Sequence, residues 1–380
     1  MKKLIAILLA AVMLLGLTAC GSINDREAAI IWDDAGTVQI PDSLINSVER
    51  AMYTQNIAYT HYGANGSQEE QTRLARTALD NGCAALLVKP VDPAAAQELA
   101  DMAKAKDVSI VFFGCEVDEN VLSSYEKCYC VSTDADSLAG TQAGLLEAQM
   151  VKEKKGAYSL NPEMDRNADG KVTCITVGEV QGAVEALNAS LAEKCLPGLE
   201  TAAVGVDAAY IEGLTESVYT TGKNVEMGLL CTADGASVDL ILVESDTAAL
   251  DVLVALQAKG FNADKLTTHC IPLYTTGNCA DYKAHVLADR PAGDRKDEAV
   301  QAYYKQMQYL VDLSNVEDDD LDEMVYNTYN VIGDGRIAGT CVEDDDAIAA
   351  ALARITRDIV ENVQTGDSRQ VWIPYTTYTG

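Results

Sequence analysis

Apolar runs that alternate with helix-like segments are the feature that most constrains the fold of this chain. "CAALLVKP" and "VSIVFFG" are continuous apolar runs of strand length, as expected for strands buried inside a parallel sheet. Between them, "DPAAAQELADMAKAKD" is predicted to be helical, with Pro93 at its start. With the earlier segments "EAAIIW", "DSLINSVERAMYTQ", "AYTHYG" and "SQEEQTRLARTALDNG", this order predicts a doubly wound α/β layer.

The same order recurs in the second half of the chain. "KVTCITVG" and "SVDLILVES" are predicted strands, and "SLAGTQAGLLEAQMVKE", "GAVEALNASLAEK" and "DTAALDVLVALQAKG" are predicted helices. Two α/β layers joined near "VSTDADS" predict two doubly wound lobes with parallel sheets, a hinge and a cleft between them. Ligands of open α/β sheets bind at the carboxyl ends of the strands. The candidate loops therefore follow Trp32, Phe113, Val177 and Val243.

The boundaries follow from these segments. The first lobe is predicted at residues 28–132 and 341–371, and the second at 133–340 and 372–380. Residues 281–334 are polar, aromatic and acidic, and they are predicted to be a helical insertion in the second lobe.

The N-terminal segment has the pattern of an export signal. Lys2 and Lys3 precede an apolar run that is short for a membrane span, and small residues precede Cys20. "LTAC" followed by "GS" resembles a lipobox, which implies a signal peptide at 1–20, a lipid-modified Cys20 and a polar tether at 21–27. The protein would then lie outside the cytoplasmic membrane, anchored to it by lipid. The alternatives are an ordinary signal peptide and an uncleaved anchor.

Charge and composition exclude several functions. The formal net charge is −30, so nucleic acid would be repelled and is not expected as a partner. The three histidines, at 61, 269 and 285, are far apart, and no P-loop, G-x-S-x-G or paired-histidine pattern occurs. We therefore expect no enzyme activity. An exported chain could pair its ten cysteines after Cys20, but several lie in apolar runs, which favours buried thiols.

The stretch "MDRNADGKVTCITV" begins like a calcium-binding loop. Asp165, Asn167 and Asp169 alternate and Gly170 follows, as in an EF-hand loop. The twelfth position, which supplies a carboxylate in such loops, is Thr176. The turn is therefore half of a calcium motif, and the alternative is a polar turn without a metal.

"GCAALLVKPVDPAAAQELADMAKAKDVSIVFF" resembles the periplasmic galactose/glucose-binding proteins, as do "VDLILVESD", "GRIAGT" and the calcium-like turn. The resemblance covers most of residues 27–280 and 334–378. It implies a type 1 periplasmic-binding-protein fold and a monomer that delivers a small ligand, such as galactose or glucose, to an ABC importer permease, or that serves a sensor kinase.

The resemblance also implies a structural Ca²⁺. A carboxylate from a neighbouring strand would complete the ligand shell in place of the missing twelfth residue. The implied ligands are Asp165, Asn167, Asp169, the carbonyl of Lys171, the hydroxyl of Thr173, and Asp239.

The sugar-binding residues of that family are mostly replaced in this chain. The ligand positions of the family fall on Asp34 or Asp42, Gly114, Tyr210 or Ile211, Ser245 and Glu343 in this chain. Other candidate ligand contacts are Trp32, Glu116, Glu179, Glu244 and Asp246, the last of which has an alternative role as a helix N-cap. Each buried hydrogen-bonding group that is left unpaired costs about 1–3 kcal/mol, so these replacements would weaken the binding of glucose or galactose. Because several of the candidate contacts are acidic, a non-sugar ligand that is cationic or polyhydroxyl is an alternative. A further alternative is a partner-binding module that uses residues 281–334.

Overall fold

The computed structural model describes residues 27–33, 43–166, 168–204, 218–219, 230–232, 237–258, 260–262, 270–277, 297–300, 328–333 and 335–380. These residues divide into two units. The first contains residues 27–33, 43–132 and 345–371, and the second contains the described parts of 133–344 together with 372–380. The chain therefore passes from one unit to the other after residues 132, 344 and 371.

The described strands are, in chain order, β1 (Ala28–Trp32), β2 (Tyr59–Gly63), β3 (Ala85–Val88), β4 (Ser109–Phe113), β5 (Cys128–Asp134), β6 (Val151–Lys154), β7 (Ala157–Leu160), β8 (Val172–Val177), β9 (Leu199–Val204), β10 (Val218–Tyr219), β11 (Leu230–Thr232), β12 (Ser237–Val238), β13 (Leu240–Val243), β14 (Leu273–Thr276), β15 (Gly339–Val342), β16 (Gln370–Pro374) and β17 (Thr376–Tyr378).

The described α-helices are α1 (Ser43–Thr54), α2 (Gln68–Asp80), α3 (Ala96–Ala105), α4 (Glu119–Ser124), α5 (Ser137–Met150), α6 (Gln181–Glu193), α7 (Asp246–Ala258), α8 (Thr328–Gly333) and α9 (Asp345–Val360). A short 3₁₀ turn, Pro93–Ala95, precedes α3. No helix in the described ranges combines the length and the apolar character needed to cross a bilayer.

The sheet of the first unit has the order β16-β5-β4-β3-β1-β2. Strands β1 to β5 pair in parallel along it. On one face, Ile31, Leu86 and Phe112 pack against α2 and α3. On the other side, α1 and α9 pack together, and the Ser47 hydroxyl donates to Asp346 at 2.6 Å. Helices thus cover both faces, as the apolar strands require.

The principal sheet of the second unit has the order β17-β15-β14-β13-β8-β9. Its pairs are parallel except for β15 with β17. Ile175 and Ile241 face α7, while Cys174 and Leu242 face α5 and α6. The two principal sheets therefore share one topology: β2-β1-β3-β4-β5 in the first corresponds to β9-β8-β13-β14-β15 in the second.

The sequence expectations for the elements need three corrections. The helix predicted to run to residue 153 ends at Met150, and the next residues form a hairpin of β6 and β7. The strand predicted over "SVDLILVES" is divided at Asp239 into β12 and β13. Residues 341–344, assigned to the first lobe, belong to the second unit, because β15 pairs with β14 and β17.

Most of the predicted insertion at 281–334 lies outside the described residues. The described parts, 297–300 and 328–333, place Val300, Val331 and Ile332 in the core of the second unit beside α7. Cys20 and the predicted signal and tether segments also lie outside the described ranges, apart from residue 27.

Candidate functional site

The first unit has a polar pair where the strand order changes direction. From β1 the chain continues outward to β2 and then returns to β3 on the other side, so ligands of such sheets bind outside the carboxyl ends of β1 and β3. Asp33 directly follows β1 and Lys89 directly follows β3. The Lys89 Nζ lies 3.0 Å from the Asp33 Oδ2. The predicted loop after Trp32 thus contributes Asp33, and it is joined by a lysine that the sequence analysis missed.

Two neighbours fix the position of Lys89. The side-chain amide of Gln71, which is fully buried, donates to the Lys89 carbonyl at 2.8 Å and accepts from the Val91 N–H at 3.0 Å. Gly114, at the end of β4, has φ +67°, and a Cβ atom there would lie 3.1 Å from the Lys89 Cε. The aliphatic stem of Lys89 therefore passes close over Gly114 toward Asp33.

The second unit has a polar contact at the same place in its topology. Glu244 directly follows β13, and its Oε2 accepts from the Glu179 N–H at 2.7 Å, just beyond β8. Gly178 separates the end of β8 from Glu179 and has φ +78°. A Cβ atom at position 178 would lie only 2.1 Å from the Glu244 Oε2. Glycine is therefore required at position 178 by its backbone conformation and by the approach of the carboxylate.

Lys89 and Glu244 hold equivalent positions in the two sheets. The Lys89 N–H donates to the carbonyl of Ile31 at 2.9 Å, and the Glu244 N–H donates to the carbonyl of Val177 at 3.0 Å. The Lys89 side chain then reaches Asp33, two residues after Ile31. In the same way the Glu244 side chain reaches the backbone of Glu179, two residues after Val177. The two units therefore present side chains of opposite charge at their switch points.

The residues predicted to contact a ligand have different outcomes. Asp34, Asp42 and Tyr210 lie outside the described residues. Ser245 caps α7, because its hydroxyl accepts from the Ala248 N–H at 3.3 Å. The interpretation of Asp246 as that cap is wrong, since Asp246 is the first residue of the helix.

Glu343 and Glu116 are exposed after β15 and β4, respectively. Trp32 is a core residue instead of a surface contact. Only 1% of it is exposed, and its ring packs edge-on against Phe113 with a centroid distance of 5.2 Å.

The acidic turn is held together by its own carboxylates. Asp165 accepts from the N–H groups of Asp169 at 3.0 Å and Gly170 at 2.8 Å. Asp169 accepts from the Lys171 N–H at 2.9 Å. Gly170 has φ +83°, which glycine adopts readily. The backbone therefore wraps around the Asp165 carboxylate.

Asp239 reaches this turn from the junction of β12 and β13. Its Oδ1 accepts from the Arg166 N–H at 2.9 Å and its Oδ2 from the Thr173 N–H at 2.8 Å. Only 1% of Asp239 is exposed. Burial raises the pKa of Asp239, and the negative charges of Asp165 and Asp169 raise it further, although the two N–H donors oppose the shift.

The donors of the turn suit calcium in chemical type, since they are carboxylates, a carbonyl and a hydroxyl. The negative charges of Asp165 and Asp169 raise the pKa of Asp239, so a cation near these carboxylates would be electrostatically favourable. Asn167, an implied ligand, lies outside the described residues. Within the part of the chain that the structure describes, no group of three or more His, Cys, Asp or Glu side chains is arranged to hold a metal.

The protein is therefore an α/β protein of two units. Each unit has a principal sheet with the same order of parallel strands and a polar contact where that order reverses. Residues 29–308 match the family described as the periplasmic binding protein domain, and the chain belongs to this family.

One curated relative is the D-galactose/methyl-galactoside binding periplasmic protein MglB of Haemophilus influenzae. It is 26% identical over 192 residues, which are 48% of this chain and 52% of the relative. The matched region thus spans about half the length of that relative.

Solved structures show the same fold. A mutant XylFII–LytSN complex has a TM-score of 0.53 at 13% identity, over 93% of this chain and 97% of that chain. A crystal structure from Mycobacterium smegmatis has a TM-score of 0.51 at 12% identity, over 93% of this chain and 91% of that chain. At these identities the likeness concerns the fold alone.

Proposed function

We propose that the protein is an extracytoplasmic solute-binding protein that delivers a small ligand, by family a monosaccharide, to an ABC importer. The observation that carries this proposal is the repeated switch-point arrangement, with Lys89 and Asp33 in one unit and Glu244 and Glu179 in the other. The name of the Haemophilus influenzae relative supports a sugar as the first ligand class to test.

A ligand screen by thermal denaturation tests the proposal. The panel contains hexoses, pentoses, inositols, cationic metabolites and amino acids. A ligand that binds only the folded protein raises its melting temperature by mass action. We expect a concentration-dependent rise with at least one sugar or polyol. If the melting temperature stays constant across the panel at millimolar concentrations, the proposal is wrong.

We propose in addition that Cys20 carries a lipid anchor. The support is the lipobox-like "LTAC" at residues 17–20. In cells fed a labelled fatty acid, the wild-type chain is expected to incorporate label and to sediment with membranes. Cys20→Ala is expected to lose both properties, whereas Cys195→Ala keeps them. Label that persists in Cys20→Ala would contradict the anchor.

We propose a structural Ca²⁺ at the acidic turn, held by Asp165, Asn167, Asp169, the Lys171 carbonyl, the Thr173 hydroxyl and Asp239. The ion would supply positive charge among three carboxylates. The support is the arrival of Asp239 at the turn through the N–H groups of Arg166 and Thr173. The contribution to stability would come from binding the folded turn, because the unfolded chain does not assemble these donors.

Calcium titration after treatment with EDTA tests this site. We expect Ca²⁺ to raise the melting temperature of the wild type and to have little effect on Asp165→Asn. Asp136→Asn is the matched control, since Asp136 is exposed elsewhere in the same unit. An equal rise in Asp165→Asn and the wild type would show that calcium acts at another place.

A further inference from the structure

We propose that Lys89 and Asp33 bind hydroxyl groups of an uncharged polyol, and that Lys89 is a specificity-determining residue of the first unit. This inference rests on the proposed function, because it names the residues and the ligand chemistry of the same site.

The position of the pair carries the first step. Lys89 and Asp33 follow adjacent parallel strands, β3 and β1, at the point where the strand order reverses. Crevices at such points receive ligands in open α/β sheets. A lysine at this position comes directly after a run of four fully buried residues, Ala85–Val88. It is therefore held by rigid structure and not by a mobile surface loop.

The surroundings of Lys89 carry the second step. Gln71 fixes the backbone on both sides of Pro90 through two hydrogen bonds to Lys89 and Val91. Gly114 leaves room for the lysine stem, which a Cβ atom there would crowd at 3.1–3.3 Å. A binding group works best when its supporting residues hold it in place before the ligand arrives, because less conformational entropy is then lost.

Accessibility carries the third step. The side chains of Lys89 and Asp33 are 26% and 33% exposed, so both are partly sheltered and both can be reached by a small molecule. Hydrogen bonds to charged groups are stronger than those between neutral groups, and they gain strength where water is partly excluded.

The charges of the pair decide the class of ligand. A ligand carboxylate would attract Lys89 but repel Asp33, and a ligand ammonium would do the reverse. A hydroxyl both donates and accepts, so it can donate to Asp33 and accept from Lys89 without separating them. One positive and one negative formal charge cancel in the pair, which favours an uncharged polyol over a charged analogue.

The test compares Lys89→Met with Lys106→Met. Methionine keeps an aliphatic stem over Gly114 and removes the ammonium group. Lys106 forms a comparable ion pair, 2.8 Å from Asp80, just after α3 and away from the switch point. Dissociation constants are measured by calorimetry for the tightest neutral sugar or polyol of the wild type. We expect Lys89→Met to bind about ten- to a hundredfold more weakly, and Lys106→Met to bind within about twofold of the wild type.

The ligand class is tested with the matched uronic acid and amino sugar of that ligand. We expect the wild type to prefer the neutral form. Tighter binding of the uronic acid would overturn the ligand class, and unchanged affinity in Lys89→Met would overturn the role of Lys89. If Lys89→Met does not fold, Lys89→Gln replaces it under the same criteria. A wild type that binds no ligand of the panel overturns the proposed function itself, whereas a wild type that binds only a charged ligand overturns the ligand class alone.

Discussion

Asp239 and Thr173 are joined by two hydrogen bonds: the Asp239 N–H donates to the Thr173 carbonyl at 2.9 Å, and the Thr173 N–H donates to the Asp239 Oδ2 at 2.8 Å. The other carboxylate oxygen accepts from the Arg166 N–H. One buried side chain therefore connects β8, the acidic turn and the junction of β12 and β13.

Asp239→Asn is expected to destabilise the second unit in the presence of EDTA. The amide NH₂ would face one of the two backbone donors, so a buried N–H would lose its acceptor at a cost of about 1–3 kcal/mol. Urea denaturation followed by circular dichroism measures the loss. Asp169→Asn, on the exposed part of the turn, is the control and should cost less. Equal stability of Asp239→Asn and the wild type would contradict the connecting role.

Gly178→Ala is expected to destabilise the protein more than Gly260→Ala. Both glycines have positive φ, +78° and +84°, so alanine brings backbone strain of about 1–2 kcal/mol at either site. Only at position 178 would the new Cβ meet the Glu244 carboxylate, while nothing lies within 4 Å at position 260. Thermal denaturation compares the two. Addition of Glu244→Ala to Gly178→Ala should recover part of the loss, and no recovery would show that the clash is unimportant.

Gln71→Leu is expected to destabilise the first unit by about 2–6 kcal/mol. The substitution leaves the Lys89 carbonyl and the Val91 N–H without their buried partner, and each unsatisfied group costs about 1–3 kcal/mol. Gln97→Leu is the control, because that amide is exposed and donates to two exposed or half-buried side chains, Asp101 at 3.0 Å and Ser124 at 3.4 Å, and to no buried backbone group in the described ranges. Denaturant titration measures both. A cost for Gln71→Leu no larger than that of the control would contradict the supporting role.

The contact of Glu147 with Lys194 and Ser190 is expected to weaken in acid. Hydrogen bonds from Lys194 and then Ser190 lower the pKa of Glu147 in the folded state. Its stabilising effect is therefore complete above the ordinary glutamate pKa, about 4.3, and is lost as the pH falls through the lower folded-state pKa. Glu147→Gln should reduce the slope of stability against pH in this acidic range. Glu153→Gln, on the exposed strand β6, should leave the slope unchanged; a similar effect of both would contradict the assignment.

Cys195 is expected to react first with a maleimide among the described cysteines. It is exposed, whereas Cys128, Cys130, Cys174 and Cys341 are buried. Burial raises the pKa of Cys128 to about 12 and that of Cys130 to about 11, so few thiolates form at neutral pH. Peptide mapping after brief labelling measures the order. Labelling of Cys128 or Cys130 before Cys195 in the folded protein would contradict it.

The helices and strands of both units were largely predictable because their apolar patterns are strong. "CAALLVKP" and "KVTCITVG" became buried parallel strands, since each contains an uninterrupted apolar run. The end of α5 was not predictable in the same way. "VKEK" continues a plausible helical pattern after Met150, and its pairing with residues 157–160 makes it strand β6.

The candidate site was less predictable than the fold. Lys89 lies inside a segment that resembles a known family, but it matches none of the ligand positions that the resemblance implies. Its pairing with Asp33 depends on the adjacency of β1 and β3, which are separated by more than fifty residues in sequence. Charge at the end of an apolar strand was the one available signal.

The passage of the chain between units has a consequence for how the protein is made. Helix α9 covers α1, and β16 lies at the edge of the first sheet, yet both come from residues after 344. During synthesis or export from the N-terminus, the first unit therefore cannot finish folding until nearly the whole second unit has emerged. The face of α1 that packs against α9 remains uncovered throughout that interval.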